Sequence, residues 1–375
     1  MELLIPFKNK IKNVPKFGTF FSFKKYFYKV KVDYIIVGLG LAGLAFAEEL
    51  LANNKSFIVF EDESQTSSLV AGGVYNPVIL KRFTPVWNAT EQLKVALPHY
   101  EKLEQTFETI FDEKFVTKKV FKSIEDQNNW FTAIDKYNIG NYLDDKLDHE
   151  NYKGVFSNFG FGNVKETGRI DTNKLVKVYR SFLLKEQKLR IQKFYYNQLE
   201  ITENQLIYQD IQATKIVFSE GFGLKHNPFF NHLPLTGVKG ETITIYAPEL
   251  EINFQVKSTV FVLPLGNHYY KVGATFNWSD KTSKPTEEGK QELIEKLKKV
   301  IAVQYTITDH TAGVRPTTKD RRPLVGKNSA HKNLFVLNGL GTRGVMIAPT
   351  VAKELYNFIE HQQELDKEID IKRFD

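Results

Sequence analysis

A glycine pattern near the amino end of the sequence constrains the fold more than any other feature. Gly38, Gly40 and Gly43 follow the apolar, β-branched run Val32–Val37 and open a helical pattern over Leu41–Leu51. Glycines at this spacing suit a tight turn, a close approach of the backbone to a pyrophosphate and close packing of the helix on the strand. We therefore predict a Rossmann-type βαβ unit that binds a dinucleotide. Its predicted cofactor-binding residues are Gly38, Gly40, Leu41, Ala42 and Gly43.

An acidic residue stands where such a unit recognises ribose. The apolar run Phe57–Phe60 predicts the second strand, and Glu61 follows it, eighteen residues after Gly43. A carboxylate at this position accepts hydrogen bonds from the ribose hydroxyls and disfavours a 2′-phosphate. The sequence thus predicts NAD or FAD rather than NADP, with Glu61 as a cofactor-binding residue.

A second glycine pattern lies near the carboxyl end. Gly339, Gly341 and Gly344 follow the apolar run Leu334–Leu337, and only about thirty residues remain after them. A second βαβ unit does not fit in that length, so we predict that the chain returns to the same cofactor. Backbone amides and a helix amino terminus suit the carbonyl edge of a flavin, which favours FAD. For Arg343 the alternative is that it is an exposed loop arginine without a role in binding. The predicted cofactor contacts are Gly339, Gly341, Thr342, Arg343, Gly344 and Val345.

Composition narrows the chemistry. The sequence has no cysteine, which excludes disulfides, thiolate metal ligands and a cysteine-linked flavin, so the FAD is expected to be non-covalent. The eight histidines show no metal-ligand spacing, and no metal site is predicted. The apolar runs are too short to span a bilayer, which predicts no transmembrane segment and a cytoplasmic protein.

The positive charge is confined to the amino end. Residues 1–32 carry the whole net charge of +7 together with several aromatic side chains. We predict a poorly ordered basic, aromatic extension, and the alternative is an arm that binds a membrane surface or a partner. The rest of the chain is neutral overall, which argues against nucleic acid as a partner.

The order of the predicted elements indicates two domains in an α/β (α+β) fold. Alternating patterns between residues 239 and 275 predict the antiparallel sheet of a substrate domain. The stretch from residue 64 to residue 85 is too long for a plain connection, so we expect it to be functional. The predicted FAD-binding domain comprises residues 33–88, 165–235 and 311–365, and the mostly antiparallel substrate domain comprises residues 89–164 and 236–310.

Six short motifs occur in order along the chain: Gly38–Glu61, Ser67–Gly73, Lys239–Glu241, Val272–Thr275, Gly313–Pro316 and Gly339–Pro349. Together they resemble the D-amino-acid oxidase family, in particular its glycine oxidase and sarcosine oxidase branch, from about Val32 to Ile359. Within the last motif, Gly341–Gly344 before Ala348–Pro349 is similar to the FAD oxidase domain of the bifunctional tRNA 5-methylaminomethyl-2-thiouridine biosynthesis proteins.

The resemblance implies a p-hydroxybenzoate-hydroxylase-like arrangement of a discontinuous FAD domain and a substrate domain over the flavin. The substrate would be a small amine or amino-acid-like molecule. The reaction would be hydride transfer from the carbon that bears the amine to flavin N5, followed by imine hydrolysis and reoxidation by O2 or another acceptor. The loop residues Val70, Ala71, Gly72 and Gly73 would run under the flavin.

The resemblance also implies two catalytic positions. Arg315 falls where the family places the arginine that pairs with the substrate carboxylate, and its planar fork suits a carboxylate on chemical grounds as well. The alternative is a structural arginine that neutralises Asp309 or Asp320. Phe261 corresponds to the family's carboxylate-binding tyrosine, so a hydroxyl donor is missing and glycine itself is in doubt as the substrate.

Two other functions stay open at this point. The chain could oxidise a carboxymethylaminomethyl group in tRNA. It could also bind flavin without turnover and act as a redox-responsive or membrane-associated partner through residues 1–32.

Overall fold

A computed structural model describes residues 30–374 of the chain. Residues 1–29 lie outside the described range, so the poor order predicted for the basic extension stays a prediction there. Residues 30–32 belong to the first strand, because Val30 pairs with Ile211 in a parallel register. No helix within the described range is long and apolar enough to cross a membrane.

Helices and strands alternate along the chain, and the predicted mixed α/β fold is confirmed. The α-helices are α1 (Leu41–Ala52), α2 (Ser67–Val70), α3 (Ala89–Phe107), α4 (Ile124–Tyr137), α5 (Thr172–Lys185), α6 (Glu287–Leu297) and α7 (Gly344–His361). The strands are β1 (Val30–Val37), β2 (Phe57–Glu61), β3 (Val74–Tyr75), β4 (Val78–Ile79), β5 (Thr84–Pro85), β6 (Asp112–Lys114), β7 (Thr117–Val120), β8 (Leu143–Asp148), β9 (Phe161–Val164), β10 (Gly168–Ile170), β11 (Leu189–Ile191), β12 (Leu199–Ile201), β13 (Leu206–Tyr208), β14 (Ile211–Phe218), β15 (Leu235–Tyr246), β16 (Gln255–Lys257), β17 (Phe261–Gly266), β18 (Tyr269–Gly273), β19 (Thr306–Thr318), β20 (Leu324–Lys327) and β21 (Leu334–Asn338).

The first sheet is built around parallel strands. Its order is β11-β2-β1-β14-β13-β12, and β21 pairs with β14 and with β20. Because β1 pairs in parallel with both β2 and β14, the carboxyl ends of these strands lie at one edge of the sheet. Strands that are covered on both faces are apolar throughout, and Ile35 and Ile36, on opposite faces, are both fully buried. The predicted βαβ unit consists of β1, α1 and β2.

Two close contacts fix the turn between β1 and α1. Gly38 has φ +97°, and a Cβ there would lie 2.5 Å from the carbonyl oxygen of Ser219. A Cβ on Gly43 would lie 2.0 Å from the carbonyl oxygen of Gly38. Because neither position has room for a side chain, α1 begins directly against the end of β1. The helix is almost entirely buried because it also packs on α7.

The second sheet is mostly antiparallel. Its order is β19-β15-β18-β17-β16-β7-β9-β8, and among these pairs β16–β7 runs parallel. Residues directly opposite each other share a face of a sheet, and Arg315 lies opposite Val238 while Gly313 lies opposite Gly240. The sheet surface beside Arg315 therefore carries two glycines, which leave room for the Arg315 guanidinium over Gly240 and for α2 against Gly313.

Helix α7 begins at Gly344. Pro349 lies inside the helix and lacks the N–H that would bond to the carbonyl of Val345. The hydroxyl of Tyr100 in α3 donates to that carbonyl instead, at 2.9 Å. Helix α3 thus packs on α7, although the sequence assigns residues 89–164 to the substrate domain. The division into domains stays a prediction.

Gly43→Ala should lower the free energy of unfolding by about 3 kcal/mol, because the added methyl group cannot fit against the carbonyl of Gly38 unless α1 moves. Gly140→Ala is the matched control, since a Cβ at Gly140 would meet the Ile134 side chain at 3.6 Å, an ordinary contact. Urea unfolding of both variants measures the difference. Equal stabilities would show that the packing of α1 does not depend on this contact.

Candidate active site

A cavity of about 1230 Å³ lies where the carboxyl ends of the first sheet's strands meet the second sheet. Its lining includes Gly38 and Glu61 at the ends of β1 and β2, and Gly240 of β15. Crevices at the carboxyl ends of parallel strands are the usual ligand sites of such sheets. The volume exceeds the range of roughly 300–1,000 Å³ typical of small-molecule sites, so the cavity has room for a dinucleotide and a substrate.

The first glycine bend forms one wall of this cavity. Gly43 stands behind the wall, because its α-carbon faces the carbonyl of Gly38. Helix α1 begins at the bend, so its free backbone N–H groups and the positive end of its dipole lie at the cavity. The predicted residues that line the cavity here are Gly38, Gly40, Leu41 and Ala42.

Glu61 lines the cavity at the end of β2. One carboxylate oxygen accepts from the N–H of Leu39 at 2.6 Å, and the other accepts from the N–H of Glu63 at 2.8 Å. Burial raises the pKa of Glu61, while these two backbone hydrogen bonds favour its ionised form. Each oxygen keeps a lone pair, so the carboxylate can still accept from a ribose hydroxyl.

The second glycine bend forms another wall of the same cavity. Gly339 stands behind this wall, where a Cβ would lie 3.1 Å from the backbone nitrogen of Leu324. Helix α7 begins at the bend, with Arg343 at its N-cap. The structure therefore brings the two distant bends together around one space. The predicted residues that line the cavity here are Gly341, Thr342, Arg343, Gly344 and Val345.

Helix α2 and the loop after it connect the first bend to the second sheet. The Ser68 hydroxyl accepts from the N–H of Leu41 at 3.2 Å. Lys271 of β18 donates from Nζ to the carbonyl of Val70 at 3.1 Å, and a Cβ on Gly72 would lie 3.4 Å from the Phe261 ring. These contacts hold the loop against the face of the second sheet. Val70, Ala71, Gly72 and Gly73 all line the cavity.

Ser219 and Glu220 line the cavity as well, and the motifs in the sequence do not predict them. They follow β14, which is parallel to β1 and ends at the same edge. The Ser219 hydroxyl is buried and has no hydrogen-bond partner among residues 30–374. Burial raises the pKa of the Glu220 carboxylate to about 7, although Asn227 and Tyr196 donate to it. A buried, unpartnered hydroxyl beside a glycine bend indicates that a polar ligand group completes this site.

Arg315 points into the cavity without an acidic partner. Among residues 30–374 its guanidinium forms no ion pair, and desolvation is what lowers its pKa, to about 10. Asp320, a partner considered from the sequence, pairs with Arg373 at 2.9 Å instead. Because an arginine with a pKa of about 10 is charged at neutral pH, the cavity contains an uncompensated positive charge.

The position of Arg315 is fixed by its surroundings. Nη1 donates to the carbonyl of Thr275 at 3.3 Å, and the guanidinium lies 4.7 Å from the centroid of the Phe276 ring. A Cβ on Gly240 would lie 1.9 Å from Nη2, so only glycine at this position leaves room for the side chain. The guanidinium is therefore held over the open part of the second sheet.

Buried charges on the other face of β15 support this arrangement. Lys239 is fully buried, and its Nζ contacts Asp280 at 2.5 Å. Its backbone forms a two-way bridge with Asn277, with both N···O distances at 2.9 Å. The bridge fixes the segment that carries Phe276, and through it the ring that packs on Arg315.

Lys257 is a second cationic residue of the cavity, and the sequence motifs do not predict it. It lies opposite Phe261 on the neighbouring strand, and its Nζ is 5.9 Å from the centroid of that ring. Burial lowers the pKa of Lys257 to about 8, and the nearby charges of Lys119 and Lys296 act in the same direction. Phe261 itself lines the cavity and presents an apolar ring beside this ammonium group.

Comparison with known proteins decides the identity of the cofactor. The family of FAD dependent oxidoreductases designated DAO matches residues 33–357. The chain belongs to this family. The resemblance seen in the sequence is thereby confirmed, and the protein is an enzyme that uses FAD. The glycine bends, the unpartnered Ser219 hydroxyl and the size of the cavity all fit that cofactor.

Individual relatives are distant. The chain is 22% identical to the tRNA 5-methylaminomethyl-2-thiouridine biosynthesis bifunctional protein MnmC of Legionella pneumophila (strain Corby), over 88% of this chain and 54% of that protein. It thus spans about half the length of this relative. The fold is similar to that of glycine oxidase from Bacillus cereus, with a TM-score of 0.72 at 18% identity, covering 89% of this chain and 96% of the other.

A cofactor-bound structure is also similar. L-alpha-glycerophosphate oxidase from Mycoplasma pneumoniae, with FAD bound, has a TM-score of 0.71 at 17% identity, covering 90% of this chain and 96% of the other. At such identities these structures establish the fold of this chain and not its substrate.

Carboxylate binding should weaken as the pH rises through about 8, because Lys257 loses its proton in that range while Arg315 stays charged. We expect the Kd for acetate, measured through the flavin spectrum, to rise about fivefold between pH 7 and pH 9. Lys257→Met should bind acetate more weakly at pH 7 and show little change up to pH 9. Lys94→Met, at an exposed position of α3, is the control. An unaltered pH profile in Lys257→Met would assign the change to another group.

Proposed function

We propose that this enzyme oxidises the C–N bond of a small amine or amino-acid-like substrate that carries a carboxylate. The observation that supports this most strongly is the uncompensated guanidinium of Arg315, held in the cavity over Gly240. Burying the charge of an arginine that lacks an acidic partner costs free energy unless an anion binds to the guanidinium. A carboxylate matches the planar fork with two parallel hydrogen bonds.

Different residues of the cavity would bind the cofactor and the substrate. The first bend and Glu61 would hold the adenosine and pyrophosphate of FAD, and the second bend would hold the flavin end. The bound FAD would supply the acceptor for the hydride that leaves the carbon bearing the amine. The chain itself would orient the substrate by binding its carboxylate to Arg315.

The two cationic side chains also affect the protonation of the substrate. A substrate ammonium near Arg315 and Lys257 is disfavoured by like charge, so the amine binds more readily in its neutral form. A neutral amine has the lone pair that hydride loss from the adjacent carbon requires. The site therefore needs no dedicated base in contact with the amine.

The apolar rings favour a substrate larger than glycine. Phe261 offers no hydroxyl to a carboxylate, and Phe276 lines the cavity beside Arg315. Both rings can cover an apolar substituent on the nitrogen or the α-carbon. We propose N-substituted glycines and amino acids as the substrate class.

We also propose that the first sheet and the second sheet correspond to the FAD-binding and substrate units predicted from the sequence. The buried residues support this, because those of the first sheet and those of the second sheet form separate hydrophobic clusters. The buried face of α3 packs with the cluster of α1 and α7, which supports assigning this helix to the FAD-binding unit rather than to the substrate unit.

Arg315→Ala should lower kcat/KM for a carboxylated amine by about a hundredfold to a thousandfold, because the substrate loses a buried, bidentate ion pair. Rapid mixing without oxygen, followed by flavin absorbance, gives the apparent Kd and the reduction rate. The FAD content should be unchanged. Arg190→Ala is the control, since Arg190 pairs with Asp210 on the first sheet. A variant that keeps its affinity for the carboxylated amine would contradict the assignment.

Phe261→Tyr should improve the use of glycine relative to N-substituted glycines, because it restores a hydroxyl donor beside the proposed carboxylate site. We expect a gain of about tenfold in kcat/KM for glycine, as one charge-assisted hydrogen bond is added. Steady-state rates on both substrates measure the ratio. No change in this ratio would mean that the ring does not approach the carboxylate.

A second candidate function is the oxidation of a carboxymethylaminomethyl group in tRNA. The match to MnmC over 88% of this chain favours it. Two exposed aromatic side chains also favour it. Phe276, which packs on Arg315, and Trp278 are 60% and 62% exposed, and exposed aromatic rings stack on unpaired bases. The neutral charge of residues 33–375 speaks against a large contact with RNA.

Anaerobic mixing separates the two candidates. The FAD-bound enzyme is mixed either with tRNA that carries the carboxymethylaminomethyl group or with N-methylglycine. Reduction by tRNA at micromolar concentration, with slow reduction by N-methylglycine, would select the second candidate. The opposite order would select the first.

A further inference from the structure

A smaller cavity of about 210 Å³ adjoins the active-site cavity. Its polar lining consists of three guanidinium groups, those of Arg321, Arg322 and Arg343. Arg343 and Ile79 line both cavities, so they form the partition between them. A group bound in the small cavity would therefore lie next to the second glycine bend of the active-site cavity.

The three arginines have too few acidic partners. Arg322 binds Glu368, with Nε at 2.8 Å from one carboxylate oxygen, and the indole Nε1 of Trp87 donates to the other oxygen at 2.6 Å. Glu368 thus already neutralises the charge of Arg322. In the part of the chain that the structure describes, neither Arg321 nor Arg343 forms an ion pair, so two positive charges face the cavity without compensation.

Burial makes the charge of Arg343 costly in the absence of a ligand, whereas Arg321 is exposed. Arg343 is partly buried, and desolvation together with the charges of Arg321 and Arg322 lowers its pKa. Like charges within one small cavity destabilise each other unless an anion lies between them. The second observation, independent of charge, is the space itself, which shares Ile79 and Arg343 with the active-site cavity.

The lining also indicates the kind of anion. A phosphate group has up to two negative charges and three acceptor oxygens, which suits several guanidinium groups better than a single carboxylate does. The rest of the wall is apolar and includes Pro85, Val86 and Ile347. Such a wall can pack against the organic part of a phosphate ester, whereas a free inorganic phosphate ion would leave the apolar wall without a contact.

We propose that this arginine pocket binds a phosphate ester group beside the amine oxidation site. The ester can be a monoester on a small molecule or the diester of an RNA chain, and both present the same anionic oxygens to Arg321, Arg322 and Arg343. This inference goes beyond the role of Arg315 and does not depend on it, because phosphate binding requires no turnover.

Calorimetric titration of the FAD-bound protein tests the proposal at constant ionic strength. The probes are inorganic phosphate, uridine 5′-monophosphate and the dinucleotide UpU without a terminal phosphate. Arg321→Glu removes a pocket charge at an exposed position, and Lys319→Glu makes the same charge change on the same turn outside the pocket. Flavin absorbance and circular dichroism verify that both variants are folded.

We expect saturable binding of a phosphate ester, with a Kd that rises at least tenfold in Arg321→Glu and less than twofold in Lys319→Glu. If uridine 5′-monophosphate binds and UpU does not, the ligand of the pocket is a phosphate monoester. If UpU binds comparably, the ligand is the diester backbone of RNA. Saturation by inorganic phosphate alone, by none of the probes, or to the same extent in both variants would overturn the proposal.

Discussion

The approach of α1 to the end of β1 is the contact on which the rest of the site depends. Gly43 stands so close to the carbonyl of Gly38 that the helix must begin at the carboxyl edge of the first sheet. This places the helix amino terminus beside Ser219, which follows the neighbouring parallel strand. Anything larger than hydrogen at either glycine would separate these elements, and the wall that faces the pyrophosphate would be lost.

Charge is divided across the cavity in a way that suits two different ligands. Carboxylates lie at the ends of the first sheet's strands, in Glu61 and Glu220, where hydroxyls and amides of a nucleotide can donate to them. Uncompensated cations lie on the second sheet, in Arg315 and Lys257, where an anionic substrate can bind. The opposite placement would set carboxylates against the anionic substrate. Arg315 and Lys257 thus favour one orientation of an anionic substrate, with its carboxylate toward the second sheet.

The parts of the fold that could be predicted from the sequence are those with a local signal. The βαβ unit is one, because strand, glycine turn and helix are contiguous. Lys257 could not be found in this way, since it enters the cavity only through the pairing of β16 with β17 and β7. Ser219 and Glu220 follow an apolar strand, a weak signal that gains meaning only once that strand is known to lie beside β1. The hydrogen bond from Tyr100 to the carbonyl of Val345 in α7 could not be predicted either, because the two residues are far apart in sequence.

The central claim is that both glycine bends hold the same FAD molecule. Hydrogen–deuterium exchange tests it most directly, by titrating FAD into the apoprotein and following peptides that cover residues 36–46 and 338–348. The account predicts slower amide exchange in both peptides, with one common midpoint in FAD concentration, because one ligand orders both bends. Protection of one bend alone, or two separate midpoints, would contradict it.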